Sequence, residues 1–221
     1  LSPRVGSEVD VGCGATGSIV AIDNILMWLD SRGFIVQSDN SPFIRDQSSG
    51  YALKIVSTDA INNIIASFDV KNDAKAITYN DRGHIMYQIT FPTENRTLVF
   101  DHTTQQWHER AYYNIARDQL EYHTAQYHTK FHNLNIVGGQ RDGRIYIMHH
   151  DYLDDADVPI HRIRQTAYQQ NEFKEVEVAC FALRLDTGYA EQGQNPMISM
   201  RYSNDNGHRW SYSMARELGK V

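Results

Sequence analysis

The densest group of side chains able to bind or react is His149-His150-Asp151, followed by Asp154, Asp155 and Asp157. Oxygen-rich loops hold Ca²⁺, and paired imidazoles hold transition metals. The run lacks a glycine where an EF-type loop needs one, and a solvated loop between two strands explains the same residues. His123, His128 and His132 recur at spacings of four to five. A helix would bring them to one face, but no Cys or carboxylate pattern accompanies them. The sequence therefore assigns no metal and no cofactor; His149, Asp151, Asp154 and Asp155 are the set nearest to a metal site.

A second stretch, SNDNGHRW (203–210), has the spacing Ser203-x-Asp205-x-Gly207-x-x-Trp210. Sialidases and other propeller proteins carry hairpins of this form. The residue types suit a turn. Asp205 can fold back onto backbone N–H groups, Ser203 can bond locally, and Gly207 can supply a positive φ. Trp210 is placed to begin the return strand and cover the turn with its ring. None of these roles needs a substrate. A glycosidase needs two carboxylates across a cleft, or a tyrosine nucleophile with a supporting acid and arginines. No single stretch supplies that set.

Other chemistry is thinner. No Ser–His or Cys–His pair has a recognisable nucleophile context. GCGATG (12–17) is glycine-rich but lacks the Lys-Ser/Thr ending of a phosphate loop, and it leads into a strand. Glu109 and Arg110, in WHER, could form a catalytic or glycan site, and a blade-closing strand explains them as well. Cys13 and Cys180 lie in apolar surroundings and read as buried free thiols, with a lone disulfide as the alternative. Asn95-Arg96-Thr97 matches a glycosylation sequon by chance.

These residues must be positioned by strands. In GHIMYQITF (83–91), Ile85, Tyr87, Ile89 and Phe91 alternate with His84, Met86, Gln88 and Thr90, the pattern of a half-buried strand. TENRT, LVFD, HTTQQ and WHER continue it as turn, strand, turn, strand. Three phrases repeat a polar turn, a glycine and an apolar strand: SRGFIV at Gly33, DRGHIM at Gly83 and RDGRIY at Gly143. Each follows another apolar strand, in SIVAIDNILMWL, AKAITYN and NLNIVGG. Hairpin units recurring in this way are what propeller blades look like. STDAINNIIASFD (57–69) predicts one helix, capped by Ser57, Thr58 or Asp59, with Ile61, Ile64, Ile65 and Phe68 on its apolar face. Residues 37–50 and 111–129 read as loops, the latter with extended pieces. FKEVEVACFALRLDTG (173–188) reads as a long strand, with Val176, Val178 and Cys180 on one face. Residues 196–213 read as a hairpin with Ile198, Met200 and Tyr202 toward a core. Trp28, Trp107 and Trp210 read as core or hairpin aromatics.

The 221 residues, 41% of them hydrophobic and 22% charged, have an ordinary globular composition. A net charge of −6 argues against general grip on nucleic-acid phosphates. No apolar run is long enough to span a bilayer as a helix, and no signal peptide is visible. The chain begins at Leu1 and ends in LGKV, so a longer parent chain is expected.

Taken in order, VGCGATGSIVAIDNILMWLDSRG, the SPF loop with STDAINNIIASF, GHIMYQITFP, TLVFDHTTQQWHER, NIVGGQRDGRIYIMHHDYLDDADVPIHRIR and RYSNDNGHRWS with its following LG form a series. That series resembles the packaged-DNA stabilisation proteins of short-tailed phages, also called tail hub or head-completion proteins, from about Val11 to Gly219. The resemblance implies a virion structural protein of the tail or neck, assembled in the bacterial cytoplasm, without catalysis. It would close the portal channel and sit between the portal–adaptor ring and the tail needle or fibres, as a ring of six copies. An acidic protein suits such docking.

The expected architecture is all-β: propeller-like blades over residues 1–165, incomplete on the N-terminal side, then the start of a truncated, sandwich-like β domain over 166–221. The competing function is a glycan-binding or glycan-cleaving propeller with the Ser203–Trp210 hairpin.

Overall fold

The computed structural model describes residues 11–22, 25–38, 53–139, 141–168, 177–185 and 196–218. It is all-β, and the chain divides into two compact units, Leu1–Arg162 and Ile163–Val221.

The first unit is a succession of antiparallel meanders. Strands β1 (Val20–Ile22), β2 (Ile25–Leu29), β3 (Ile35–Ser38) and β4 (Leu53–Ile55) form one four-stranded sheet in chain order. Helix α1 (Asp59–Ala66) follows. Strands β5 (Lys75–Asp81), β6 (His84–Phe91), β7 (Arg96–Asp101) and β8 (Gln106–Glu109) form a second sheet of the same plan. A hairpin of β9 (Ala111–Asn114) and β10 (Gln119–Tyr122) leads to a three-stranded sheet of β11 (Ala125–Phe131), β12 (Leu134–Gly139) and β13 (Ile145–Met148). Four-stranded meanders of this kind have the form of propeller blades.

Two cores hold the meanders together. Met27, Leu29 and Ile35 of the first sheet meet Ile61 and Ile65 of α1 and Tyr87, Ile89, Phe91, Leu98 and Phe100 of the second sheet. Phe68, just past α1, tilts against Phe91 with ring centroids 4.9 Å apart. The other face of the second sheet sends Ile77 and Tyr79 against Ala125 and Val137 of the third. The period-two pattern of β6 is therefore real, but the strand is not half-buried: Gln88 and Thr90 are as enclosed as Tyr87 and Ile89. Thr90 shares a hydroxyl–hydroxyl bond with Thr97 (3.0 Å), and the Gln88 amide donates to the Ala125 carbonyl (2.8 Å). Polar residues on a strand covered on both sides are tolerated when bonded in this way.

The repeated glycine phrases make one turn device. Gly33, Gly83 and Gly143 have φ of +95°, +84° and +67°, where a side chain is strained. A side-chain oxygen beside each turn accepts backbone N–H groups. Asp30 takes Arg32 and Phe34 (2.8 and 2.9 Å), Asn80 takes Gly83 (3.2 Å), and Asp142 takes Arg144 (3.1 Å).

Several expectations change. SIVAIDNILMWL is two strands: Ile22 pairs with Ile25, and the intervening residues are Asp and Asn, which favour turns. Gln37 and Ser38 are buried in β3 rather than in a loop, and the rest of 39–50 lies outside the described residues. Residues 111–129 are strands β9, β10 and most of β11. Helix α1 is shorter than 57–69, and its N-cap Thr58 makes no side-chain capping bond. Cys13 is exposed. It pairs with Asp30 in an isolated bridge and is flanked by glycines that cannot cover it. Gly14 is required there, since a Cβ would lie 2.5 Å from the Asp30 carbonyl oxygen.

In the second unit, β14 (Met197–Met200) pairs with β15 (Met214–Glu217). The long strand read over 173–188 is not formed at residues 177–185, where Val178 and Cys180 are exposed. Alternation there has no ladder partner among the described residues, and Val176 lies outside them. Ile198 is half-buried, whereas Met200 and Tyr202 are exposed rather than turned to a core.

Candidate functional site

The first strand of each large sheet lies at its edge, and β1, β5 and β11 come together. Between them runs an open groove of about 510 Å³, lined by residues that include Val20, Lys75, Ile77, Gln126 and Tyr127. Lys75 donates to the Tyr127 hydroxyl (2.9 Å) and lies 5.0 Å from its ring centroid. Gln126 is only 3% exposed, yet neither amide atom has a partner among the described residues. The groove can receive a hydrogen-bonding group beside apolar surface. No carboxylate belongs to its lining.

A charged network ties the β9–β10 hairpin to residue 141. Glu121, buried in β10, is paired by Arg141 and by Arg117 (3.3 Å) and accepts the Asn114 amide (2.9 Å). Burial pushes the Glu121 carboxyl up, but the bonds from Arg141 and Asn114 and the two guanidinium charges prevail and lower it. Arg141 also donates to the Tyr122 carbonyl (2.9 Å) and faces the Tyr122 and Tyr112 rings, 4.1 and 5.0 Å from their centroids. Neither Glu121 nor Arg141 stands out in the sequence. Arg141 is hidden in a turn phrase, and Glu121 lies in a stretch without alternation.

Of the three histidines read as sharing a helix face, only His128 lies in a strand, β11. His123 is enclosed between β10 and β11, and its Nδ1 accepts the Ala125 N–H (3.2 Å). Burial, with the Arg110 and Arg141 charges, pushes it down to about 3, so it is neutral. His128 Nε2 meets Asn135 Oδ1 (3.0 Å), and His132 occupies a turn with φ +45°. They do not converge. Glu109 pairs with Arg96 across β7 and β8, and Arg110 lies 5.5 Å from the Tyr79 ring centroid. Trp107 donates to the Val56 carbonyl (3.0 Å) and Trp28 is buried, both as core aromatics. Asn95 has its side-chain oxygen engaged by the Tyr122 N–H (2.9 Å).

The acidic run divides. His149, His150 and Asp151 come together at the end of β13, with their ligand atoms within 4.8 Å of one another. Asp154 and Asp155 do not join them. Asp154 pairs with Pro159 in an isolated bridge and accepts the Asp157 N–H (3.3 Å). Asp155 is half-buried; its partial burial raises its carboxyl, the Arg141 charge acts against this, and neighbouring Asp154 adds to the rise. The loop closes on itself through the Asp155–Val158 backbone bond (2.8 Å).

In the second unit, 203–210 forms a self-satisfied turn. Ser203 Oγ donates to Asp205 Oδ1 (2.8 Å) and accepts the Gly207 N–H (2.8 Å); Asp205 Oδ1 also accepts the Arg209 N–H (2.7 Å). These bonds hold the Asp205 carboxyl below its ordinary range. Gly207 has φ +89°, and Trp210 stands 5.5 Å from the Arg201 guanidinium. Trp210 precedes β15 rather than starting it, and it is exposed. The Ser211 N–H donates to the Tyr202 carbonyl (2.9 Å) and closes the base of the turn. Gly207→Ala is expected to cost about 1 kcal/mol from the positive φ alone. Urea denaturation followed by circular dichroism measures it, and an unchanged midpoint counts against this account.

The chain's sequence matches no family model, and it matches no curated protein.

Proposed function

We propose that this protein is a structural component of a phage head–tail junction, docking between the portal–adaptor ring and tail parts and helping to retain packaged DNA. The reading rests on the ordered series of phrases set out above. The observation that carries it here is apolar surface left open in an assembly-like β architecture. Phe131 and Ile145 are 60% and 76% exposed on the third sheet of the first unit, and Tyr212 is 96% exposed in the second. Outward apolar side chains on small stacked sheets suit docking onto other proteins. In this reading the protein works without catalysis, and its copies form a ring. The Ser203–Trp210 turn supports a fold role over a sugar site, because Ser203 and Asp205 spend their bonds on the turn itself.

The test is to mix the full-length protein with an intact portal–adaptor assembly and image it by electron microscopy. The expected result is a six-fold ring of added density at the channel exit. Absence of that density with both partners intact would overturn the proposal and direct attention to a sugar screen.

A further inference from the structure

His149 and His150 are consecutive, and consecutive side chains usually diverge. Here a turn closes through the Tyr152 N–H and the His149 carbonyl (3.2 Å), and the two rings lie close and tilted, with centroids 4.1 Å apart. Both rings meet one carboxylate. His149 Nδ1 lies 3.3 Å from Asp151 Oδ2, and His150 Nε2 lies 2.9 Å from Asp151 Oδ1. Donors bound at about 2.0–2.1 Å around a tetrahedral ion sit about 3.4 Å apart, close to these separations. The Asp151 N–H also reaches His149 Nδ1 (3.3 Å), a long contact that a ligated ion would replace.

The second observation comes from another sheet. His150 Nδ1, the nitrogen turned away from Asp151, faces Asp81 Oδ1 at 3.7 Å. Asp81 ends β5, whereas the histidines follow β13. A carboxylate behind a ligating imidazole fixes its ring and tautomer, and this is the usual outer partner of a metal-bound histidine. The arrangement therefore contains three donors, with the Asp81 carboxylate close behind His150 but just beyond hydrogen-bond distance. Neutral imidazoles with two carboxylates carry two negative charges, which a divalent ion balances. Nitrogen donors favour a transition metal over Ca²⁺ or Mg²⁺.

We propose that His149 Nδ1, His150 Nε2 and the Asp151 carboxylate bind one divalent transition-metal ion of the Zn²⁺ class, with Asp81 as the positioning residue for His150. Water completes the coordination. The ion orders the loop after β13, and Asp81 behind His150 places that loop beside the end of β5. This inference does not depend on the proposed phage role.

The experiment uses the full chain without an affinity tag, freed of metal by a chelator. Zn²⁺ is titrated in competition with a chromophoric indicator, and Co²⁺ is followed by its visible absorption. One ion per chain is expected, with a higher thermal midpoint when bound. His150→Asn and Asp151→Asn should each weaken binding at least 10-fold, and Asp81→Asn by about 10-fold or more. His132→Asn, on an exposed turn, should leave it unchanged. Millimolar Ca²⁺ should not displace the ion. Binding below one equivalent, binding that survives both His150→Asn and Asp151→Asn, or displacement by Ca²⁺ would each overturn the proposal. Circular dichroism of the metal-free variants separates loss of the site from loss of the fold.

Discussion

Arg141→Ala is expected to lower the stability of the first unit by about 3–5 kcal/mol. Glu121 is the reason. Its side chain is 9% exposed, and Arg141, 22% exposed, is its enclosed cationic partner. Removing the guanidinium leaves a buried carboxylate with Asn114 and with Arg117, which is 72% exposed and held at 3.3 Å. An outlying arginine in water offsets little of the desolvation cost. The Tyr122 carbonyl loses a donor and two tyrosine rings lose a facing cation, which adds to the cost. Arg141→Lys should recover only part, because a point charge cannot bond the carboxylate and the carbonyl while lying flat against the rings. Glu121→Gln in the Arg141→Ala background should restore stability, since it removes the stranded charge. Urea denaturation of wild type, Arg141→Ala, Glu121→Gln and the double variant reads the cycle. A loss under about 1 kcal/mol for Arg141→Ala, with no rescue by Glu121→Gln, would show that the pair is not what closes this hairpin onto residue 141.

That network also marks where sequence reading stopped. The β6–β8 meander was legible because its alternation is long and its turns carry the usual residues. The turns at Gly33, Gly83 and Gly143 were legible because glycine announces a positive φ. The β9–β10 hairpin has neither signal. Every residue of β9 is half-buried, so no period appears. Its turn is made without glycine: Asn114 Oδ1 accepts the Ala116 and Arg117 N–H groups (3.1 and 3.3 Å), and Asp118 takes φ +51°. Alternation misled at 177–185, because period two states what a strand would bury and not whether a partner strand lies beside it. The His149–His150–Asp151 group was visible as residue types. Its link to Asp81 was not, because two chain-distant residues meet only once the sheets are stacked.

Protonation of Asp101 should produce a distinct acid-dependent loss of stability. Asp101 ends β7 and holds the turn to β8. Its Oδ1 accepts the Thr103 and Thr104 N–H groups (2.9 and 3.3 Å), and its Oδ2 meets the Thr104 hydroxyl (2.7 Å) and His84 Nδ1 (2.8 Å). Burial pushes this carboxyl up, but the bonds from Thr104, His84 and Thr103 prevail, and it falls from 3.8 to about 2. The folded value lies below the unfolded one. The ionised form therefore contributes stability in full above about pH 5, and this is lost progressively as pH falls through about 2. The difference corresponds to about 2 kcal/mol, of which about half remains at pH 3. Asp101→Asn keeps the shape and removes the charge, so it should cost about 2 kcal/mol at pH 7. The gap between wild type and variant should narrow steadily between pH 5 and pH 3 in urea denaturation. A gap that stays constant over that range would assign the loss to the amide's geometry rather than to the carboxylate's charge. The same side chain links β6, β7 and the turn into β8, so narrowing of the gap would report directly on the charge that pins the middle of this blade.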